Sequence, residues 1–500
     1  MTLCELATAV EGARIHGDGD VRITAVTHDS REVSPGTLFV ALPGRRVDGR
    51  RFIPAALANG AAAVALPFDG EAVPGIPVLR IPAPRSALAQ LSARVVGDPA
   101  QRLTLAGLTG TNGKTTVSSL VAQICRAAKR PEGLVGTISH WIAGHERPAA
   151  FTTPEAPALH RLFTEMVQAG VEIAVMEVSS IGLSEHRVDG LDFAVAGFLN
   201  LSVDHLDYHE DMAQYGAAKR RLFCDLLARD GVAIINVDDA YGLTLAEDLG
   251  RTRPDVTVWA LSLEDATQAV HFEGLKVDGQ GVRGRLHTPY GQLDLESPLL
   301  GRFNAANLAM AASMAMALEL PGDAIVDGLA KGRVRGRMEG VPNPLGVSIV
   351  VDYAHSPDAL ERVLSTLRPL TTGTLWCVFG CGGDRDATKR PAMGHAAAAA
   401  DIVVITSDNP RSEEPEHIAQ QALVGAAANG RPVSTEPRLG HTWLQLDRRT
   451  AIRQAIASAA PGDTLLIAGK GHETYQEIDG VKHPFDDVEE ARRAVQEVVS

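Results

Sequence analysis

The strongest chemical motif in the chain is a glycine-rich segment with the residues Gly110, Thr111, Asn112, Gly113, Lys114, Thr115 and Thr116. It lies between a predicted strand at 103–108 and a predicted helix at 115–129, where backbone N–H groups and the helix dipole favour an anion. The ammonium of Lys114 can neutralise terminal phosphates, and the hydroxyl of Thr115 is a ligand for Mg²⁺. Leu108 stands where the common phosphate loop has its first glycine, and an ordinary glycine turn is the alternative. The strand–turn–helix context favours a nucleoside-triphosphate site.

Acidic and histidine side chains follow two further predicted strands. Glu177 lies at the end of the strand at 171–178, and the strand at 194–199 runs into a segment that contains His205 and His209. A carboxylate at the end of a strand near a phosphate loop can hold Mg²⁺ directly or through water. A solvated glutamate beside a turn is the simpler interpretation of Glu177 alone. Zinc is disfavoured, because the histidine pair lacks an H-E-x-x-H motif and a third ligand.

The elements that must position these groups are short apolar runs, each followed by a polar turn and a helical stretch. Such runs are typical of buried parallel strands in βαβ units, and they lie at 103–108, 171–178, 194–199, 232–235, 347–351, 375–379, 402–406 and 464–468. The helix after the first strand places apolar residues at i, i+3, i+4 and i+7, namely Val117, Leu120, Val121 and Ile124. The pattern predicts an α/β fold.

Length and local composition divide the chain. Its 500 residues suggest about three domains at the usual 100–200 residues each. Prolines at 74–84 and the Gly-Asp-Pro sequence at 97–99 close the first segment. Glycine, proline and arginine interrupt the apolar rhythm again at 332–346. We therefore expect domains at 1–98, 99–338 and 339–500.

The net charge of −14 argues against a nucleic acid or an anionic membrane as the main partner. No signal peptide is evident, and no stretch approaches the roughly 20 apolar residues of a membrane span. The five cysteines are scattered and odd in number, which is not a disulfide framework. We expect a cytoplasmic protein that binds small anions in confined pockets, without membrane insertion.

Five motifs occur together in the order and spacing known from one family of enzymes. They are G-T-N-G-K-T-T at 110–116, E-V-S-S at 177–180, N-L-S-V-D-H-L-D-Y-H at 200–209, G-R-F-N-A-A-N-L-A at 301–309 and V-D-Y-A-H-S-P at 351–357. Over nearly its whole length the chain resembles the Mur ligases, which join amino acids to the peptidoglycan precursor with ATP. The resemblance implies a small N-terminal α/β domain for a uridine nucleotide, a central ATPase domain with a P-loop-type parallel or mixed sheet, and a C-terminal Rossmann-like domain.

The two ends of the chain indicate which reaction the resemblance implies. The segments 28–31, 38–44 and 48–49 resemble the uridine-nucleotide domain of the two later ligases, and the segments 380–385, 407–411 and 469–473 resemble the ligase that adds the third residue. The D-N-P-R form at 408–411 is similar to enzymes that use meso-diaminopimelate. The implied substrates are UDP-MurNAc-L-alanyl-D-glutamate, meso-diaminopimelate and ATP, with Mg²⁺ as cofactor and an acyl phosphate as intermediate. The alternatives are L-lysine or another diamino acid, D-alanyl-D-alanine addition, folate polyglutamylation, and a nucleotide-regulated binding protein.

The resemblance also assigns residues to roles around the nucleotide. The implied catalytic residues are Lys114, Lys219, Glu177 and His205. The nucleotide would be bound by 110–116 together with Asn304, Arg337 and Asp352. The implied Mg²⁺ ligands are Thr115, Glu177, His205 and Lys219, the last as a carbamate formed with CO₂. A carbamate requires lysine, because an arginine does not lose its proton. The protein is expected to act as a monomer.

Two further sets match the substrate-binding residues of the family. The set for the UDP-MurNAc-dipeptide is His28, Ser30, Arg45, Arg46, Val47, Thr152, Thr153, Ser179, Glu185, Arg187 and Lys219. The set for diaminopimelate is Arg385, Asp408, Asn409, Pro410, Arg411, Gly469 and Glu473. The distal carboxylate of diaminopimelate suits bidentate arginine recognition, which a lysine substrate would leave unpaired. Glu185 departs from the glutamine usual in the family, Ile181 from histidine or phenylalanine, and Arg45-Arg46 from a more polar pair.

Overall fold

The computed structural model describes residues 1–44, 47–69, 73–206, 208–428 and 430–499. Its first α/β unit is a five-stranded sheet in the order β1-β5-β4-β3-β2. The elements are α1 (Leu3–Ala7), β1 (Arg14–His16), β2 (Ala25–Thr27), β3 (Thr37–Val40), α2 (Ile53–Ala58), β4 (Ala63–Pro67), β5 (Val78–Ile81) and α3 (Pro84–Val95). Apolar side chains pack against both faces of this sheet, so it has a core of its own.

The central sheet has eight strands in the order β13-β12-β11-β6-β10-β7-β8-β9, and only its β8–β9 edge is antiparallel. Its strands are β6 (Thr104–Thr109), β7 (Glu132–Val135), β8 (Ser139–Ile142), β9 (His145–Pro148), β10 (Ile173–Glu177), β11 (Phe193–Phe198), β12 (Leu227–Asn236) and β13 (Thr257–Leu261). Its helices are α4 (Lys114–Ala127), α5 (Ala156–Gln168), α6 (Ser180–Ser184), α7 (Met212–Cys224) and α8 (Ala240–Thr252). The strands and the helix predicted for this region are confirmed.

A three-stranded antiparallel sheet, which the sequence analysis missed, follows the central sheet. The elements are β14 (His271–Asp278), β15 (Gly281–Thr288), β16 (Gly291–Ser297), α9 (Arg302–Ala317) and α10 (Gly322–Ala330). Helix α9 is buried on most sides, because it packs against α4 as well as against the small sheet. Its nearly uniform apolar sequence follows from this double covering.

The C-terminal sheet has seven strands in the order β17-β18-β23-β19-β20-β22-β21 and is parallel except for β17. Its strands are β17 (Glu339–Val341), β18 (Ser348–Asp352), β19 (Leu375–Phe379), β20 (Ile402–Ile405), β21 (Val433–Ser434), β22 (Thr442–Leu444) and β23 (Thr464–Ala468), followed by the hairpin β24 (Tyr475–Ile478) and β25 (Val481–Pro484). The helices are α11 (Pro357–Leu367), α12 (Lys389–Ala397), α13 (Pro415–Ala427), α14 (Arg448–Ser458) and α15 (Asp487–Val499). Separate apolar clusters cover the two faces, as in a doubly wound sheet.

The three-part α/β architecture expected from the sequence is confirmed, while the exact domain limits near 98 and 338 stay predictions. Short 3₁₀ helices connect the elements at Ser30–Glu32, Gly49–Phe52, Pro99–Arg102 and Arg368–Leu370. Within the described ranges, no helix is long and apolar enough to cross a membrane. Strand β6 lies between β10 and β11, so the carboxyl ends of these three parallel strands meet at one edge. Ligands of open α/β sheets bind at such an edge.

A fully buried ion pair joins the last two helices to the C-terminal sheet. The guanidinium of Arg448 donates to the carboxylate of Asp487 at 2.8 and 2.7 Å, and to the carbonyl oxygen of Ala468 at 2.9 Å. Both side chains have 0% exposure. Because removal of one partner leaves the other as an uncompensated buried charge, this pair makes the packing of α14, α15 and β23 interdependent.

We predict that Asp487→Ala lowers the free energy of unfolding by about 3–5 kcal/mol, the cost of leaving a buried guanidinium unpaired. Urea unfolding followed by tryptophan fluorescence measures the change. The matched control is Glu497→Ala on the same helix, whose pair with Arg453 is half exposed. The control is expected to cost less than about 1 kcal/mol. Equal effects of the two substitutions would contradict the prediction.

Candidate active site

The glycine-rich segment forms the turn between β6 and α4. Gly110 has a φ of 153° and Gly113 a φ of 92°. A Cβ on Gly110 would lie 2.8 Å from the Cβ of Leu199, and one on Gly113 would lie 2.5 Å from Oδ1 of Asn307. Both glycines are therefore required by close packing as well as by backbone conformation. The turn directs the first N–H groups of α4 towards the cavity described below, as an anion site requires.

Two lysine ammonium groups converge on this turn. Nζ of Lys114 donates to the carbonyl oxygens of Gly110 and Thr111 at 2.8 and 3.0 Å. Nζ of Lys219, on α7, donates to the same Gly110 oxygen at 2.9 Å and lies 4.4 Å from the ring centre of Tyr215. Burial lowers the pKa of both amines, and the positive charge of Lys114 lowers the pKa of Lys219 further. A larger share of Lys219 is therefore free amine at neutral pH, which is the form that reacts with CO₂.

The carboxylate of Glu177 is fully buried at the end of β10. It accepts hydrogen bonds from the hydroxyl of Thr115 at 3.1 Å and from both the backbone N–H and the hydroxyl of Thr137 at 2.8 Å. Three donors compensate for the loss of hydration of this charge. Thr137 stands in no recognisable motif, so the sequence did not indicate it as a partner of Glu177. Thr115 and Glu177 form an oxygen pair of the kind that Mg²⁺ prefers.

His205 lies near this oxygen pair without forming a metal cage. Its φ is 55°, its side chain is 43% exposed, and its Nε2 lies 3.8 Å from Oδ2 of Asp204. In the described part of the chain, no three His, Cys, Asp or Glu side chains are grouped to hold a metal ion. Mg²⁺ in nucleotide sites is usually held by one or two carboxylates together with phosphates and water. The residues present therefore fit Mg²⁺ brought in with a nucleotide.

A cavity of about 460 Å³ joins the phosphate turn to the C-terminal domain. The predicted site residues in its lining are Thr111, Asn112, Gly113, Lys114, Thr115, Thr116, Thr152, Glu177, Ser179, His205, Asn304, Arg337 and Asp352. Asn304 is buried at the start of α9, where its amide donates to the Leu300 carbonyl at 2.8 Å and accepts from Asn307 at 3.0 Å. The structure thus brings residues from distant parts of the chain to one cavity.

The C-terminal domain supplies the other wall of the cavity. The guanidinium of Arg337 lies 4.4 Å from the ring centre of Tyr353 and 3.4 Å from Oγ1 of Thr115. The carboxylate of Asp352 accepts hydrogen bonds from the backbone N–H groups of Met338 at 2.7 Å and Ala354 at 2.8 Å. Burial raises the pKa of Asp352, although Arg337 and these two N–H groups oppose the shift. An acid from this domain, and an arginine from the loop that leads into it, therefore line the cavity with the phosphate turn.

A second contact between these domains was not predicted. Asp358, at the start of α11, accepts hydrogen bonds from the amide of Asn112 at 3.2 Å and the hydroxyl of Ser202 at 3.0 Å. Asn112 belongs to the phosphate turn, so α11 is tied directly to the nucleotide loop. Asp358 directly follows the recognised motif at 351–357, and this position was the available signal.

The residues matched to diaminopimelate binding form a second cluster, around Lys470. This ammonium is fully buried, and its Nζ lies 2.9 Å from Oδ1 of Asn409, 3.0 Å from Oε2 of Glu473 and 3.4 Å from Oδ1 of Asp408. Asn409 also donates to Glu473 at 2.8 Å. Gly469, with a φ of 111°, leaves room for Asp408, because a Cβ there would lie 2.6 Å from Oδ2. Lys470, which had no role in the sequence analysis, holds the two carboxylates together.

The arginines of this second region differ in their surroundings. Arg411 has a φ of 53°, and its guanidinium donates to the Gly383 carbonyl at 2.6 Å and lies 3.4 Å from Oε2 of Glu477. The Gly383 backbone packs so closely on Pro410 that a Cβ would lie 1.9 Å from the Pro410 carbonyl oxygen. Arg385 is exposed. Glu477 is a partner of Arg411 that the sequence did not indicate.

Tyr353 connects the second cluster to the cavity. Within the described residues, none of the seven predicted diaminopimelate contacts lines the cavity. Tyr353 does line it, and its ring centre lies 4.9 Å from that of His472, next to Glu473 in sequence. A Cβ on Gly336, beside Arg337, would lie 2.1 Å from the backbone nitrogen of His472. The segment 469–473 therefore packs directly on the loop that carries Arg337.

The residues matched to the UDP-MurNAc-dipeptide divide between the cavity and its surroundings. The hydroxyl of Thr152 accepts a hydrogen bond from the hydroxyl of Thr137 at 3.0 Å. The hydroxyl of Thr153 donates to that of Ser179 at 3.0 Å, and the carbonyl oxygen of Thr153 accepts from Arg187 at 2.8 Å. The remaining predicted residues lie elsewhere: His28, Ser30 and Val47 are in the N-terminal unit, Glu185 follows α6, and Arg45 and Arg46 lie outside the described residues. Val47 is 45% exposed, and the Ser30 carbonyl accepts from Asn59.

The fold and the cavity define an enzyme that binds a nucleoside triphosphate between two α/β domains. Profiles of one family match three successive parts of the chain: "Mur ligase family, catalytic domain" at 22–95, "Mur ligase middle domain" at 108–315 and "Mur ligase, glutamate ligase domain" at 336–471. The chain belongs to the Mur ligase family.

Similar proteins match the chain over nearly its full length. A UDP-N-acetylmuramoyl-L-alanyl-D-glutamate–2,6-diaminopimelate ligase of Gloeobacter violaceus is 44% identical over 95% of this chain and 94% of its own. A solved structure of a protein with the same description is 35% identical, with a TM-score of 0.70 and coverage of 100% and 99%. The MurF ligase of Thermotoga maritima, solved with ADP, is 17% identical with a TM-score of 0.61 over 96% and 98%, and shares the fold.

We predict that Lys470→Met speeds amide hydrogen exchange in the segments 406–412 and 469–478 by about tenfold, which corresponds to about 1.4 kcal/mol of local stability. Without the ammonium, the carboxylates of Asp408 and Glu473 are buried together without a cation. Exchange monitored by mass spectrometry measures the effect. The control is Lys331→Met, at an exposed lysine that follows α10 and lies outside both segments, for which we expect no change in their exchange. Unchanged exchange in Lys470→Met would contradict the role given to this lysine.

Proposed function

We propose that this protein is an ATP-dependent amide ligase that adds meso-diaminopimelate to UDP-MurNAc-L-alanyl-D-glutamate in peptidoglycan precursor synthesis. The observation that carries the proposal is the cavity in which the phosphate turn and Glu177 meet Arg337, from the loop between the domains, and Asp352, from the C-terminal domain. Relatives that are 41–44% identical and match nearly the whole chain are described as ligases of this reaction. We further propose that the protein acts as a cytoplasmic monomer on small molecules, as the family resemblance implies.

The phosphate turn is suited to the β- and γ-phosphates of ATP. The N–H groups at the start of α4 supply fixed dipoles, and Lys114 supplies a mobile positive charge beside them. Asn304, Arg337 and Asp352 line the same cavity, which supports the roles we propose for them around the nucleoside and its phosphates. When bound, Mg²⁺ supplies charge neutralisation between phosphate oxygens, and Thr115, Glu177, His205 and a carbamate on Lys219 would hold it.

The first chemical step we propose is formation of an acyl phosphate. An oxygen of the D-glutamyl γ-carboxylate attacks the γ-phosphorus of ATP, and the bond to the bridging oxygen breaks to release ADP. Lys114 offsets the negative charge that builds up on the transferred group. An amine of diaminopimelate then attacks the acyl carbon, phosphate leaves, and the nitrogen gives up a proton to form the amide. The free energy of ATP is thereby used to form a peptide bond.

The choice of diamino acid is assigned to the Lys470 cluster and Arg411. Asp408 and Glu473 are paired with Lys470, so together they carry one net negative charge beside the substrate ammonium groups. Arg411 is the cation for the distal carboxylate, which diaminopimelate has and lysine lacks. Its guanidinium is fixed by Gly383 and Glu477, so it cannot easily move away from a substrate without that carboxylate. This arrangement supports selection against lysine.

We predict that phosphate release requires ATP, UDP-MurNAc-dipeptide and a diamino acid together. Diaminopimelate should exceed lysine and ornithine by about 10–100-fold in kcat/KM, because lysine and ornithine lack the carboxylate that makes a charged hydrogen bond to Arg411, a bond worth about 1.5–3 kcal/mol. A coupled phosphate assay measures the rate of phosphate release with each amino acid. D-alanyl-D-alanine and glutamate are tested in place of the diamino acid in the same assay.

The outcomes of this assay separate the alternatives. Phosphate release without an acceptor would contradict the ligase proposal and favour a nucleotide-regulated protein. Turnover with D-alanyl-D-alanine or glutamate would favour the sister ligase or folate-type activity. A preference for lysine would contradict both the choice of diaminopimelate as substrate and the role of Arg411, while the ligase reaction itself would stand.

We predict that Lys219→Ala lowers kcat by about 100–1000-fold, as expected for loss of a group that stabilises transition-state charge. Added formate or acetate should restore part of the activity, because a short carboxylate can occupy the space of the carbamate. Steady-state kinetics with and without the additive measures this. Lys331→Ala, at a lysine that is 74% exposed, is the control. Wild-type activity in Lys219→Ala would contradict the carbamate proposal.

A further inference from the structure

Four charged side chains meet where the N-terminal unit contacts the central domain. Arg85, on α3, lies 2.8 Å from Oε2 of Glu185 and 3.4 Å from Oε2 of Glu155. Arg187 lies 2.9 Å from Oε1 of Glu155. Each of the four side chains is less than one third exposed: 28% for Arg85, 17% for Glu185, 19% for Glu155 and 15% for Arg187. Two arginines and two glutamates give this cluster no net charge.

The cluster adjoins the cavity and contains buried donors that a ligand can use. Arg187 donates to the carbonyl of Thr153, whose hydroxyl bonds Ser179 in the cavity wall. Nε of Arg187 and Nδ1 of His28 are both buried and have no hydrogen-bond partner among the described residues. A buried polar nitrogen without a partner is costly. Nε of Arg187 is a donor and suits an anionic or polar acceptor of a bound molecule, whereas Nδ1 of His28 donates or accepts according to the tautomer of the ring and suits a polar group. Burial lowers the pKa of His28, and the negative charge of Glu155 partly offsets this shift. His28 is therefore close enough to the cluster to interact with it.

From this geometry we propose that Arg85 is a positioning residue for the anionic acceptor, because it neutralises Glu185 next to the acceptor site. The inference rests on the proposed function, in which the acceptor carries the carboxylates of its D-glutamyl residue. Glu185 is an unexpected residue beside such a ligand, since glutamine is usual at this place in the family. The ion pair of Arg85 with Glu185 here takes the place of an uncharged amide.

The sign of the effect follows from the charges. Without Arg85, the two carboxylates of Glu155 and Glu185 face one arginine, so the cluster carries one net negative charge. A negative charge in a partly buried site repels an incoming carboxylate. Converting Glu185 to glutamine as well removes that excess charge and restores neutrality. Arg85 contacts neither the phosphate turn nor the Lys470 cluster, so ATP and diamino acid binding should be unaffected.

The test is a comparison of Arg85→Gln with the double variant Arg85→Gln/Glu185→Gln. The single variant should raise the acceptor Kd and KM by about tenfold with kcat within about twofold, since the lost charge interaction acts on binding and not on the reacting atoms. The double variant should return both constants to within about threefold of wild type. Arg94→Gln, on the same helix in an exposed pair with Asp98, is the control and should change neither constant.

Calorimetry of acceptor binding and steady-state kinetics are measured on the same preparations. An unchanged acceptor Kd in Arg85→Gln would overturn the inference. A double variant as impaired as the single one would also overturn it, because a purely structural role at the domain contact predicts no rescue. Wild-type protein that binds the acceptor without turnover would contradict the proposed function instead, while the Kd values would still decide the role of Arg85.

Discussion

Lys114 and Lys219 reach the same carbonyl oxygen, that of Gly110, from two different helices. Both amines are buried, and burial lowers the pKa of each. Two such groups at one point are unfavourable unless negative charge is brought to them. The buried carboxylate of Glu177 supplies one negative charge at the next strand. Asp204 is a further negative charge, which raises the pKa of both amines against the effect of burial. Two buried amines at one turn suit phosphates, and the lowered pKa of Lys219 makes its conversion into an anionic carbamate a chemically reasonable step.

The C-terminal domain depends on this centre through a few direct contacts. Asp358 of this domain accepts a hydrogen bond from Asn112, and Arg337, in the loop that leads into the domain, contacts Thr115. Tyr353 contacts Arg337 on one side and His472 on the other. A movement of this domain therefore changes the nucleotide cavity and shifts the Lys470 cluster relative to the phosphate turn at the same time. A ligase that must protect an acyl phosphate from water benefits from such coupling.

The eight strands that the sequence predicted are present in the structure, because each is a continuous apolar run that is buried in a sheet. Other parallel strands, such as β7 and β13, were not predicted. The strands at 375–379 and 464–468 agree with β19 and β23 to the residue. The small sheet β14–β16 was missed, because its strands carry alternating charged residues and lie partly exposed over α9. The reason that α9 is apolar over most of its length is visible only in the structure, where α4 and the small sheet cover it.

The sequence by itself determined the chemistry that is encoded in contiguous segments. The glycines and the lysine of a phosphate turn are neighbours in sequence, so they form a recognisable motif. Glu177 is recognisable because it stands at the end of a predicted strand. The tertiary structure alone decided which distant groups compensate these charges. Thr137 donates hydrogen bonds to Glu177, and Asp358 accepts one from Asn112 in the phosphate turn. Lys470 pairs with the carboxylates of Asp408 and Glu473, and Arg85 pairs with Glu185. A buried charge is compensated by whichever element packs beside it in the folded protein. The distance between two residues along the chain does not indicate whether they pack together.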